Sequence, residues 1–166
     1  MEIVTIILRI IHIFAGIAWV GGAWLFVFFV EPSLEALGPD AGKFMSYMVN
    51  VRRYPIYITT AAALTLLAGW TLWFLRYRGL QTAADWTFAI GGIFGLIAGF
   101  IGGAVVGRAA GQLTALGAEI GRGGKAPTPE QRTQMTALQT RMKSAGLWTA
   151  IFAALAVLCM AIGGAL

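Results

Sequence analysis

Four apolar runs govern what this chain can become. Residues 3–30, 54–75, 86–107 and 146–165 each reach the roughly 20 residues that an α-helix, rising 1.5 Å per residue, needs to cross a bilayer core. Of 166 residues, 58% are hydrophobic and only 11% charged, with mean hydropathy +0.78, far from the averages of soluble domains. The expected fold is all-α: an integral membrane four-helix bundle, one transmembrane domain over residues 1–166, whose first partner is the lipid bilayer. The opening MEIVTIILRIIHIF has Glu2 where a signal peptide has its basic region, and its apolar run continues past the length of a signal core. It is read as the first span, retained.

The formal charge of +5 would suggest nucleic acid in a soluble protein, but here the basic residues sit in loops beside apolar spans, so no nucleic-acid partner is expected. Lys43, Arg52 and Arg53 lie in one long loop, and Arg108, Arg122, Lys125, Arg132, Arg141 and Lys143 in the other. The opposite side holds Arg76, Arg78 and Arg9. Nine cations against three predict that the two long loops are cytoplasmic and that both termini face the outside, or periplasm, of a cell (inner) membrane.

The second long loop has helical periodicity of its own. Leu113, Leu116 and Ile120 recur at helical spacing, as do Met135, Leu138 and Met142, with a turn between them at 121–127. Thr128-Pro129-Glu130-Gln131 reads as a helix start, Thr128 capping, Pro129 in the first turn and Gln131 completing a capping box. Spans three and four are therefore expected to extend over 108–145 as a cytoplasmic helical hairpin, its two apolar stripes facing each other or a cytoplasmic partner. The 40–52 stretch, with Phe44, Met45, Met48 and Val51, reads as an amphipathic interfacial helix. The span-end aromatics, among them Tyr47, Tyr54, Tyr57, Trp70, Trp73, Trp86 and Trp148, fit interfacial belts.

Span three carries Gly91, Gly95, Gly99, Gly103 and Gly107 at four-residue intervals. Such a ridge lets another helix approach closely, either span four of the same chain or a second copy in a homodimer.

Chemistry points to the first span. His12 is the protein's single histidine, three residues from Arg9, and Gly16 and Trp19 continue the same helix side. Ionisable groups at membrane depth are costly and usually functional. His12 is therefore the candidate metal or cofactor ligand: Arg9 could pair with a carboxylate, Gly16 would leave room for a flat ligand, and Trp19 would wall it. Met160, or its neighbour Cys159, is the candidate second donor. The competing reading of His12 is a neutral imidazole hydrogen-bonded to a neighbouring helix. Met45 and Met48 have the softness copper prefers, although their spacing also suits an apolar face. A single cysteine allows no intramolecular disulfide, and no Cys-x-x-Cys pair, nucleophile with base, paired intramembrane carboxylates or phosphate loop is present.

The pattern His12-x6-Trp19-x-Gly21-Gly22, then Arg52-Arg53-Tyr54 opening a span that ends Leu67-Ala68-Gly69-Trp70-x2-Trp73, resembles the membrane domain of copper-resistance protein D and the related HemJ-type protoporphyrinogen oxidases. The likeness covers about residues 5–75. It implies a similar small helical bundle with His12 ligating haem b, and, through the copper-resistance branch, copper handling as the alternative. The third-span lysine regarded as functional in HemJ-type proteins has no counterpart between Trp86 and Gly107, which argues against protoporphyrinogen oxidation.

Overall fold

The computed structural model describes residues 2–38, 41–76, 79–124 and 126–166, and every regular element among them is helical. Asp40, at the start of the expected interfacial stretch, and Arg78 and Lys125 from the charge count lie outside the described residues. Helix α1 (Glu2–Leu25) passes through a π-helical turn, Phe26–Val30, into α2 (Glu31–Leu37). After α3 (Ala41–Ser46) and a second π-helical turn, Tyr47–Val51, comes α4 (Tyr54–Arg76). Helix α5 (Ala83–Phe100) continues through a third π-helical stretch, Ile101–Gly107, into α6 (Arg108–Gly123), and α7 (Pro129–Ala165) closes the chain.

Four continuous helices are long and apolar enough to cross a membrane: Glu2–Leu37, Tyr54–Arg76, Ala83–Gly123 and Pro129–Ala165. Only 6–22% of their most apolar windows is buried inside the protein. Phe14, Ile17, Leu67, Phe74 and Phe100 point outward, the inverse of a soluble bundle, so the outer surface is built for lipid rather than water.

The first helix does not end at Glu31-Pro32, as the sequence suggested, but runs on to Leu37. The π-helical turn explains this. The Glu31 N–H reaches back to the Phe26 carbonyl, and Pro32, which has no N–H to give, falls in the first turn of the helix that follows, the position it tolerates best. Gly38, at φ 54°, then breaks the helix. The chain reverses again at Arg53, whose φ of 51° is uncommon for a residue with a side chain, before α4 begins.

The π-helical turn Tyr47–Val51 falls within the stretch expected to be interfacial. Met45 and Met48 are partly covered, whereas Phe44, Tyr47 and Val51 are exposed.

The spans pack antiparallel in two close pairs. In the first, Gly22 of α1 faces Ile58 and Tyr54 of α4, Gly16 faces Thr65, and His12 faces Gly69. The second pair sets Gly91 against Cys159 and Ala156, Gly95 against Ala156, and Gly102 against Thr149. Leu66 of α4 fills the space beside Gly95 and Gly99, and the Trp24 indole donates to the Ala150 carbonyl at 3.1 Å, so the two pairs close into one bundle. Its core is Trp19, Ala61, Ala98 and Ala153: one large ring among small residues, as expected where close backbone approach replaces the hydrophobic effect as the packing force. Three ridge glycines, Gly91, Gly95 and Gly99, are thus covered within the chain, while Gly103 meets nothing within 4 Å of a Cβ.

Beyond the bundle, α6 and the first half of α7 form a hairpin. Leu116 and Leu138 are buried and Leu113, Ile120, Met135 and Met142 half-buried, so the two stripes meet each other. Gly124 ends α6 in the left-handed conformation, and across the capping box the Thr128 hydroxyl accepts from the Gln131 main-chain N–H while the Gln131 side-chain carbonyl accepts from the Thr128 main-chain N–H. Lys143 pairs with Glu35 at 2.6 Å, where the end of the first helix meets the hairpin base.

Candidate functional site

His12 sits on the α1–α4 seam, half-buried. Its Nδ1 lies 2.8 Å from the main-chain oxygen of Thr65. A carbonyl oxygen only accepts, so Nδ1 carries the proton and donates; in the neutral ring the lone pair is then on Nε2. The seam has room for the imidazole because α4 has no side chain at Gly69. A Cβ there would lie 2.7 Å from His12 Cε1 and 2.9 Å from Nδ1, but 3.7 Å from Nε2. The ring edge bearing Cε1 and Nδ1 is therefore the one pressed onto α4. One turn along, the Thr65 hydroxyl bonds to the Ala61 carbonyl at 2.8 Å and its methyl faces Gly16, which fixes the distance between the two helices.

This is the neutral imidazole hydrogen-bonded to a neighbouring helix that the sequence offered as the competing reading, and a ligating histidine uses the same outer-shell bond: a carbonyl on one ring nitrogen sets the tautomer and aims the other. Arg9, exposed one turn nearer the start of the chain, makes no hydrogen bond or ion pair among the described residues. Its guanidinium is available to an anionic group beside His12.

The other sequence candidates sit elsewhere. Gly16 has its open side met by the Thr65 methyl, 3.6 Å from a built Cβ, so it admits the neighbouring helix. Trp19 is buried in the bundle core, its ring edge beside Gly99, below the level of His12. Met160 and Cys159 lie on the α5–α7 seam against Gly91, with the Met160 methyl 3.2 Å from a built Cβ, whereas His12 occupies the α1–α4 seam. Arg9 and His12 are thus brought together at one face, while Gly16, Trp19 and Met160 are occupied in packing. Sequence reasoning did not assign the Thr65 carbonyl or the Gly69 cradle. Gly69 stood in the quoted Leu67-Ala68-Gly69-Trp70 run, but a backbone acceptor leaves no mark in a sequence.

Among the described residues no three His, Cys, Asp or Glu side chains come together as a metal-binding group. Fold and site together define an all-helical bundle of membrane-spanning type with one carbonyl-oriented histidine on an inter-helix seam. No family model, characterised protein or solved structure matches the chain.

Proposed function

We propose that this protein is a multi-pass component of the cell (inner) membrane that binds haem b through Nε2 of His12, with both termini outside and the basic hairpin in the cytoplasm. One observation carries the reading: the 2.8 Å bond from His12 Nδ1–H to the Thr65 carbonyl, which leaves Nε2 as the ring's donor.

The donor set favours haem over a bare ion. Copper or zinc needs several protein ligands, and no group of three His, Cys, Asp or Glu side chains is gathered among the described residues. Haem supplies four nitrogens itself and asks the protein only for axial ligation. Arg9 would pair with a propionate, and His12 would hold the iron, on this chain alone or between two copies. When bound, the group would supply one-electron or gas-binding chemistry. The orientation rests on the nine-to-three distribution of cations.

The test is a visible absorption spectrum of the full chain, expressed with haem supply and purified in detergent. A Soret band in the wild type that is lost in His12→Ala supports the proposal. No band, or one unchanged in His12→Ala, overturns it, and copper retained in stoichiometric amount would move the assignment to copper handling.

A further inference from the structure

Where spans three and four leave the apolar region, α7 and the π-helical stretch Ile101–Gly107 border a shallow, largely open depression of about 620 Å³. Its lining is graded along the helix axis. Ile101, Val105 and Trp148 line the end nearer the bundle, and Thr140, Arg141 and Ser144 stand nearer the hairpin among the apolar Ala137 and Ala145. Arg141 stands five residues before residue 146, where the fourth apolar span begins. At 1.5 Å per residue that is about 7.5 Å, the depth of a headgroup layer outside a 30 Å hydrocarbon core. Exposed Trp148 lies at the boundary itself, as interfacial tryptophans do.

The polar end is also unspent. Thr133, Thr136 and Thr149 on the same helix turn their hydroxyls back onto the carbonyl four residues earlier, at 3.0, 3.0 and 2.9 Å. Thr140 and Ser144 make no hydrogen bond among the described residues, and Arg141 has neither hydrogen bond nor ion pair there. A guanidinium flanked by two free hydroxyls, above an apolar surface at the bilayer boundary, matches a lipid phosphate above an acyl chain.

We infer that this depression holds one anionic phospholipid, its phosphate on Arg141, Thr140 and Ser144 and a chain along Ile101, Val105 and Trp148. The inference rests on the membrane placement and is independent of haem binding. It is tested by native mass spectrometry of the full chain in detergent, titrated with phosphatidylglycerol, phosphatidylcholine or glycerol phosphate. The expected result is a one-to-one phosphatidylglycerol adduct that Arg141→Gln weakens about tenfold or more, with Arg122→Gln at the hairpin tip unchanged and circular dichroism identical in all three. Equal retention of phosphatidylcholine, equal binding by glycerol phosphate, or undiminished binding in Arg141→Gln overturns it.

Discussion

His12 and Gly69 occupy one space: the imidazole lies where the side chain of any other residue at position 69 would begin. Because the same ring bonds to the Thr65 carbonyl, the glycine and the carbonyl one turn before it act as a two-point clamp. For the proposed haem ligation such a clamp would matter, since a histidine free to change rotamer would present its nitrogen only part of the time.

Gly69→Ala should therefore expel the ring. A methyl 2.7 Å from Cε1 forces either the imidazole or helix α4 to shift, at a cost of about 1–3 kcal/mol. On the proposed haem reading, the Soret absorbance expected of the wild type should be lost with it. Gly21→Ala, in the same motif but with nothing within 4 Å of its Cβ, should change neither. Thermal unfolding in detergent and the visible spectrum, recorded on both variants, check this.

The glycine ridge of span three should be graded in the same way. Gly91→Ala meets the Cys159 Cβ at 2.9 Å and the Ala156 carbonyl at 3.2 Å, neither able to move without the α7 backbone, and is expected to cost about 1–3 kcal/mol. Gly103→Ala enters open space and should lie within about 0.5 kcal/mol of wild type. Equal losses at the two sites, measured by denaturant titration in micelles, would contradict the packing described.

Trp19 and Trp24 lie five residues apart and should differ in kind. Trp19→Ala empties the core and should cost about 3–5 kcal/mol. Trp24→Phe removes the bond to the Ala150 carbonyl and trims a ring that is already 44% exposed, for about 0.5–1.5 kcal/mol. Unfolding midpoints of the two variants separate the effects.

At the hairpin, Thr128→Ala should remove one arm of the capping box at about 0.5–2 kcal/mol and increase protease cutting near the turn. The Lys143–Glu35 pair should matter far less, since both side chains are more than half exposed. Glu35 holds the Lys143 ammonium above the usual lysine range. On the lysine side, the contribution of the pair is thus complete at neutral pH and is lost as pH rises through that raised value. Lys143→Gln at neutral pH in moderate salt is expected to leave the unfolding midpoint unchanged.

Much of the scaffold was legible in the sequence because hydropathy and helix caps are local. The four long helices, the hairpin stripes through Leu116 and Leu138 and the Thr128 capping box all follow from residue order alone. The π-helical turns were not legible. They arise where the hydrogen-bond register shifts, as ahead of Pro32 at Phe26–Val30, and so the first helix runs further than its apolar run indicated. His12 and Arg9 stood out by their cost in an apolar helix. What holds His12 did not, because one half of the clamp is a missing side chain and the other a main-chain oxygen. Gly16 and Trp19 share the His12 side of α1 in projection, yet a projection does not say which neighbour each residue meets.

Having a single histidine makes the central claim directly measurable. With ¹⁵N-histidine incorporated, the detergent-solubilised protein gives one imidazole, and its two nitrogen resonances report which atom bears the proton. The account predicts a protonated Nδ1 and a lone pair on Nε2 in the cofactor-free protein, with the Nε2 resonance the one displaced when haem is added. A proton on Nε2 with Nδ1 bare, or an Nε2 resonance unmoved by haem, would contradict it.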